Sequence, residues 1–123
     1  MKRITSHTSD LQANMQSWRH DIHRHPELAF EEQRTAARVA ELLGEFGLEV
    51  HTGIGNTGVV GVLKKGNSKR MLGLRADMDA LKIQEQNSFD YRSVNDGKMH
   101  ACGHDGHTAM LLGAAQCLAR DGD

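Results

Sequence analysis

The last helical pattern in this sequence is apolar on nearly all of its sides. Over Gly106 to Leu118, the residues Ala109, Met110, Leu111, Leu112, Ala114, Ala115 and Leu118 leave no continuous polar face. A helix of that kind has to be enclosed by other elements. With 123 residues there is room for one domain, and everything upstream has to serve as its cover.

The cover is legible from the hydrophobic period. Met1 to Asp10 is polar and is expected to be frayed. From there Leu11, Met15, Trp18 and Ile22 recur at helical spacing, and Pro26 biases His25 out of the helical region, so a first helix should end near His25. Glu31 to Phe46 predicts a second helix, with Ala36, Val39, Ala40, Leu43 and Phe46 on one stripe, Glu31 and Glu32 in its first turn and Gly47 as its cap. The period then shortens. Leu48–Thr52, Thr57–Lys64 and Arg70–Ala76 read as strands separated by turns, the second and third expected to form a hairpin. Asn87–Lys98 is polar and turn-rich, with no assignment. The order helix, helix, strands, loop, helix suits an α/β or α+β sheet covered by helices. Three strands and two amphipathic helices do not enclose the last helix on every side, so the pattern reads as a larger domain cut short.

Charge narrows the function classes. Lys and Arg number 15 against 16 Asp and Glu, for a formal net charge of -1, which is unlike the basic face of a nucleic-acid module. No apolar run is long enough to span a bilayer. The N-terminus has no apolar core of a secretory signal, so the expected location is cytoplasmic. Two cysteines, Cys102 and Cys117, are too few for a disulfide scaffold. Histidine is the unusual entry in the composition, 8 in all. Three of them fall in Met99-His100-Ala101-Cys102-Gly103-His104-Asp105-Gly106-His107.

That stretch is the prime candidate for chemistry. Cys102 and His104 lie two apart, and in an extended segment both would face one side and share a metal ion. A second constellation is Arg75-Ala76-Asp77-Met78-Asp79-Ala80-Leu81. Asp77 and Asp79 after a strand can bind metal or orient a ligating histidine, although a cap or solvated turn would use the same residues. His20 and His23 share a helix face whose alternating charge reads as solvated surface. Cys117, among Ala and Leu, reads as a buried inert thiol, and Trp18, on the apolar stripe, as core.

Taken in order, His25-Pro26-Glu27-Leu28, Phe30-Glu31-Glu32, Gly58-Val59-Val60-Gly61, Leu74 to Leu81 and Met99 to His107 with Leu111-Leu112-Gly113-Ala114-Ala115 resemble the M20 family of metal-dependent amidohydrolases and peptidases. The branch is that of hippurate hydrolase, N-acyl-amino-acid amidohydrolases and auxin-conjugate hydrolases. The resemblance implies the N-terminal part of a di-metal catalytic domain over residues 11–123, without the lid and dimerisation domain. It further implies two divalent ions, manganese or zinc with cobalt or nickel as alternatives, a small N-acyl amino acid substrate, neither nucleic acid nor membrane as partner, and a homodimer for the full-length relative. By resemblance Cys102 and His104 would be metal ligands and Asp79 the residue that orients a ligand. Asp77 and His107 would be ligands or their supports.

The family's general base and remaining ligands have no counterpart here, since no histidine or glutamate follows His107. The expected function is therefore amide hydrolysis of N-acyl amino acids by the family, with this chain an inactive portion. The alternatives are an M20 dipeptidase, an N-acetyl-diaminopimelate deacetylase, or a non-enzymatic piece that binds metal weakly. Lys82, where relatives carry proline, is a minor departure.

Overall fold

The computed structural model describes residues 2–121. Its order is α1 (Lys2–Arg24), α2 (Gln33–Glu45), β1 (Glu49–Ile54), β2 (Gly58–Val62) and α3 (His104–Asp121). The polar start that sequence assigns to a frayed end is helical from Lys2 onward. No proline or glycine interrupts residues 2–24. The predicted stripe does its work, since Leu11, Trp18 and Ile22 are buried and Met15 packs against the core. The helix stops before Pro26, and the His25 ring donates from Nδ1 to the Asp21 carbonyl at 2.9 Å, satisfying one of the last carbonyls.

Helix α2 starts later than the pattern suggests. Glu31 and Glu32 stand ahead of it, and Glu32 makes no capping bond. Its orphan N–H groups are met from outside. Arg34 and Thr35 donate to the Glu27 carboxylate at 2.9 and 2.6 Å, and the Thr35 hydroxyl adds a third bond at 2.7 Å. Glu32 instead accepts from the Phe30 N–H and the buried Thr57 hydroxyl. At the other end Gly47 N–H reaches Gly44 O at 3.0 Å and Leu48 N–H reaches Leu43 O at 3.1 Å, the paired bonds of a Schellman ending. Gly47 has φ +88°, as that ending requires of its glycine.

The sheet has two strands among the described residues, antiparallel, with Glu49 opposite Val62 and Ile54 opposite Gly58 and an irregularity between His51 and Ile54. The expected pairing is corrected: the first and second predicted strands form the hairpin, and Arg70–Ala76 enters no ladder. A tight turn brings β1 and β2 together at once, whereas the chain after the 70–76 segment makes its backbone pairings only at Ala80 and Leu81, with Glu27 and Met99. The sheet lies against α2 closely enough that a Cβ on Gly61 would come within 2.9 Å of Leu48 Cδ2 and 3.1 Å of Leu43 Cδ1.

Helix α3 packs along α1 and touches α2. Trp18, Val39, Leu42, Leu43, Ala109 and Leu112 form the core, with Trp18 tilted against Phe46 at 5.6 Å between ring centroids. The all-round burial expected of this helix does not hold, because Met110 and Leu118 are exposed on its outer side. Cys117, expected to be buried, is half-buried and within 3.8 Å of an Asp121 carboxylate oxygen.

Two single bridges complete the frame. Ala80 N–H donates to Glu27 O at 2.8 Å, and Leu81 and Met99 exchange backbone bonds at 2.9 and 3.0 Å. They hold the Asp77–Asp79 segment beside the start of α3.

Candidate metal centre

The start of α3 is set by Gly103, whose carbonyl accepts the His107 N–H at 3.0 Å and whose φ is +91°. A side chain at that φ is strained, so the turn between Cys102 and the helix depends on glycine. Because the chain turns there, Cys102 and His104 do not share one extended run. Within the first helical turn, His104 and His107 lie three apart on one face, their rings 5.5 Å apart.

Both rings meet the aspartates of the neighbouring segment. His104 Nδ1 lies 2.8 Å from Asp79 Oδ1, and His107 Nδ1 lies 2.9 Å from Asp77 Oδ1. A carboxylate only accepts, so each Nδ1 carries hydrogen and each Nε2 is left with its lone pair. His104 Nε2 then stands 3.6 Å from Asp77 Oδ2. The Thr108 hydroxyl holds the Asp77 carbonyl at 2.8 Å, and Arg75 lies 3.8 Å from its carboxylate. The hydrogen bond from His107 is the largest influence on the Asp77 carboxyl and holds it below the usual carboxylate range.

Donor atoms of Asp77, His104 and His107 all lie within 4.8 Å of one another. One carboxylate and two imidazoles, with Asp79 fixing one ring, are a donor set suited to a divalent ion. The sequence-proposed residues thus come together except for Cys102, which is exposed and outside this group. Beside the site an open cleft of about 300 Å³ runs between the hairpin turn and the aspartate segment, lined by Phe30, Glu32, Thr57 and Arg75 among others.

Behind the site lies a polar cluster that sequence reasoning missed. His23, read as solvated surface, is 3% exposed, with Nδ1 2.8 Å from Asp105 and Nε2 3.1 Å from both Glu85 oxygens. His20 is stacked on Tyr91 at 3.7 Å. The partners of His23 lie 62 and 82 residues away, so no local signal points to them. His100 is also buried, and neither of its ring nitrogens has a partner. Burial pushes its imidazole below the ordinary histidine value.

Residues 73–122 match the sequence profile of peptidase family M20/M25/M40. Over 110 residues the chain is 59% identical to the hippurate hydrolase of Campylobacter jejuni, covering 89% of this chain and 29% of that protein. It is 46% identical to the N-acyl-L-amino acid amidohydrolase of Geobacillus stearothermophilus over 90% of this chain and 30% of that protein. Among solved structures, the Bacillus subtilis YXEP protein, a dinuclear metal-binding peptidase of the M20 family, superposes with a TM-score of 0.86 at 38% identity, covering 91% of this chain and 32% of that one. The chain spans less than a third of the length of each of these relatives.

Proposed function

On the premise that this chain carries the N-terminal part of the M20/M25/M40 peptidase sequence and fold, we propose that it supplies part of a divalent-metal site for hydrolysing the amide bond of N-acyl amino acids. The observation that carries the reading is the convergence of Asp77, His104 and His107, with His104 locked through Nδ1 by Asp79. The hippurate hydrolase and N-acyl-L-amino acid amidohydrolase among the relatives favour that substrate class.

Asp77, His104 and His107 would hold the ion, and Cys102 would join them as a thiolate ligand. Manganese and zinc are the ions we favour. When bound, a divalent ion supplies Lewis acidity toward an amide carbonyl and toward water. The chain's own part is to orient. Asp79 keeps the His104 Nε2 lone pair facing the centre, and Asp77 remains ionised beside it. Arg75, at the cleft beside Asp77, offers a cation to a substrate carboxylate. The proton transfer that amide hydrolysis needs falls to a general base that we place outside these 123 residues. We further propose action on small molecules in the cytoplasm, and a homodimer for the whole protein.

Cobalt titration of the 123-residue chain, followed by its visible absorption, tests the site. Binding that is lost in His104→Ala and weakened in Cys102→Ala is expected. A chain that binds no cobalt would overturn the metal reading. Release of glycine from hippurate with added manganese or zinc is expected to be absent from this chain. Metal-dependent turnover would show that the base lies within it.

A further inference from the structure

Asp105 sits between the two histidines of the metal centre yet faces the opposite way. On a helix it points about 100° from His104 and about 200° from His107, into the interior, where it is 2% exposed. There it meets His23 of α1 at 2.8 Å and Arg19 Nε at 3.3 Å. The other nitrogen of His23 meets Glu85, which is also buried.

Glu85 is itself tied down. The Ser93 N–H donates to it at 2.7 Å and the Asn87 side-chain amide at 3.1 Å. His23 therefore stands between two carboxylates that only accept, one on the 84–93 loop and one on α3, and both of its nitrogens are used as donors. The guanidinium of Arg19, itself part-exposed, adds a cation to the Asp105 end of this buried chain of side chains. Bonds at both ends of one rigid ring leave α3's first turn little freedom to rotate about its axis.

We propose that Glu85, His23 and Asp105 form a buried clamp that sets the rotation of the first turn of α3 and thereby the placement of His104 and His107 against Asp79 and Asp77. The three are positioning residues, acting through the helix and touching neither metal nor substrate. The role rests on the metal reading above for its purpose, and on the geometry alone for its existence. A clamp that only held α1 to α3 would not need to engage the one residue with a side chain between the two ligand histidines, the other being Gly106.

The test compares wild type, His23→Gln, Glu85→Gln and the core variant Leu42→Ala, all as the 123-residue chain. Nitrogen-resolved imidazole spectra of the metal-free proteins report whether His104 and His107 hold one tautomer. Cobalt titrations report affinity. Glutamine at position 23 can donate from one end only, and glutamine at position 85 removes the charge. In both clamp variants the two ring signals should average between tautomers and the cobalt Kd should rise about tenfold, as for other partners that orient ligands. Leu42→Ala should lower the thermal midpoint while leaving ring signals and Kd as in wild type. Unchanged ring signals in the clamp variants would overturn the proposal, and so would equal changes in Leu42→Ala. If His23→Gln does not fold, Glu85→Gln decides. If wild type binds no cobalt, the metal reading fails and the ring spectra still decide the clamp.

Discussion

His104 has two nitrogens and only one of them can face an ion, so its usefulness depends on what the other is doing. Asp79 answers that at 2.8 Å. In Asp79→Asn the charged acceptor is lost and the ring is free to exchange tautomers. Cobalt affinity should fall about tenfold with unchanged helicity by circular dichroism, and equal affinity would remove Asp79 from the orienting role. Glu85 sets a different expectation. Burial alone pushes its carboxyl up, but hydrogen bonds from Ser93, His23 and Asn87, with the charge of His23, outweigh that and hold it below the usual range. A carboxylate depressed by folding stabilises the folded chain above its unfolded value and loses that contribution as pH falls through the folded one. The thermal midpoint should therefore drop as pH falls below about 4, and Glu85→Gln should both flatten that drop and cost about 1–3 kcal/mol near neutrality. A variant with the wild-type acid profile would contradict it. Residues of this kind were only partly legible. Cys-x-His and Asp-x-Asp spacing flagged Cys102, His104, Asp77 and Asp79, because ligand chemistry is local. His23 was misread because the residues around it are polar and the carboxylates that bury it are distant in sequence.

Helices were more legible than strands, and the reason is where each finds its hydrogen bonds. The stripes of α1 and α2 carry their own backbone partners, so period and end signals suffice, and Gly47 ends α2 as read. Arg70–Ala76 has a strand's composition but forms no ladder among the described residues, since a strand needs an edge that no local pattern can promise. The α2 start was missed by two residues because its cap comes from Glu27, six positions upstream of Gln33, and not from Glu31 or Glu32. Glu27→Ala leaves two N–H groups and a hydroxyl without their acceptor. A loss of about 1–2 kcal/mol is expected, read as a lower urea midpoint with an unchanged slope. Unaltered stability would mean that solvent caps α2 equally well.

At the scale of the molecule, the apolar surface left open to solvent bears on how copies of the chain meet. Met71 is 94% and Leu72 82% exposed, with Leu74, Met110 and Leu118 also open to solvent. The first three occupy the 70–76 segment, whose backbone takes no part in any ladder among the described residues, so apolar side chains and unused backbone groups lie together. That combination invites pairing between copies. Met110 and Leu118 lie eight residues apart on α3, and exposed apolar residues of that kind are ordinary for a surface. The segment is therefore expected to dominate association. Sedimentation velocity should show the wild-type chain forming dimers or larger species as concentration rises. The double variant Met71→Lys, Leu72→Glu should remain monomeric over the same range, while Met110→Lys should behave as wild type. Both substitutions in the double variant replace exposed groups, so its stability should stay within about 0.5 kcal/mol of wild type. Association that persists in the double variant and vanishes in Met110→Lys would move the adhesive surface to the outer side of α3. The 70–76 segment would then owe its exposure to a conformation that copies of the chain do not use.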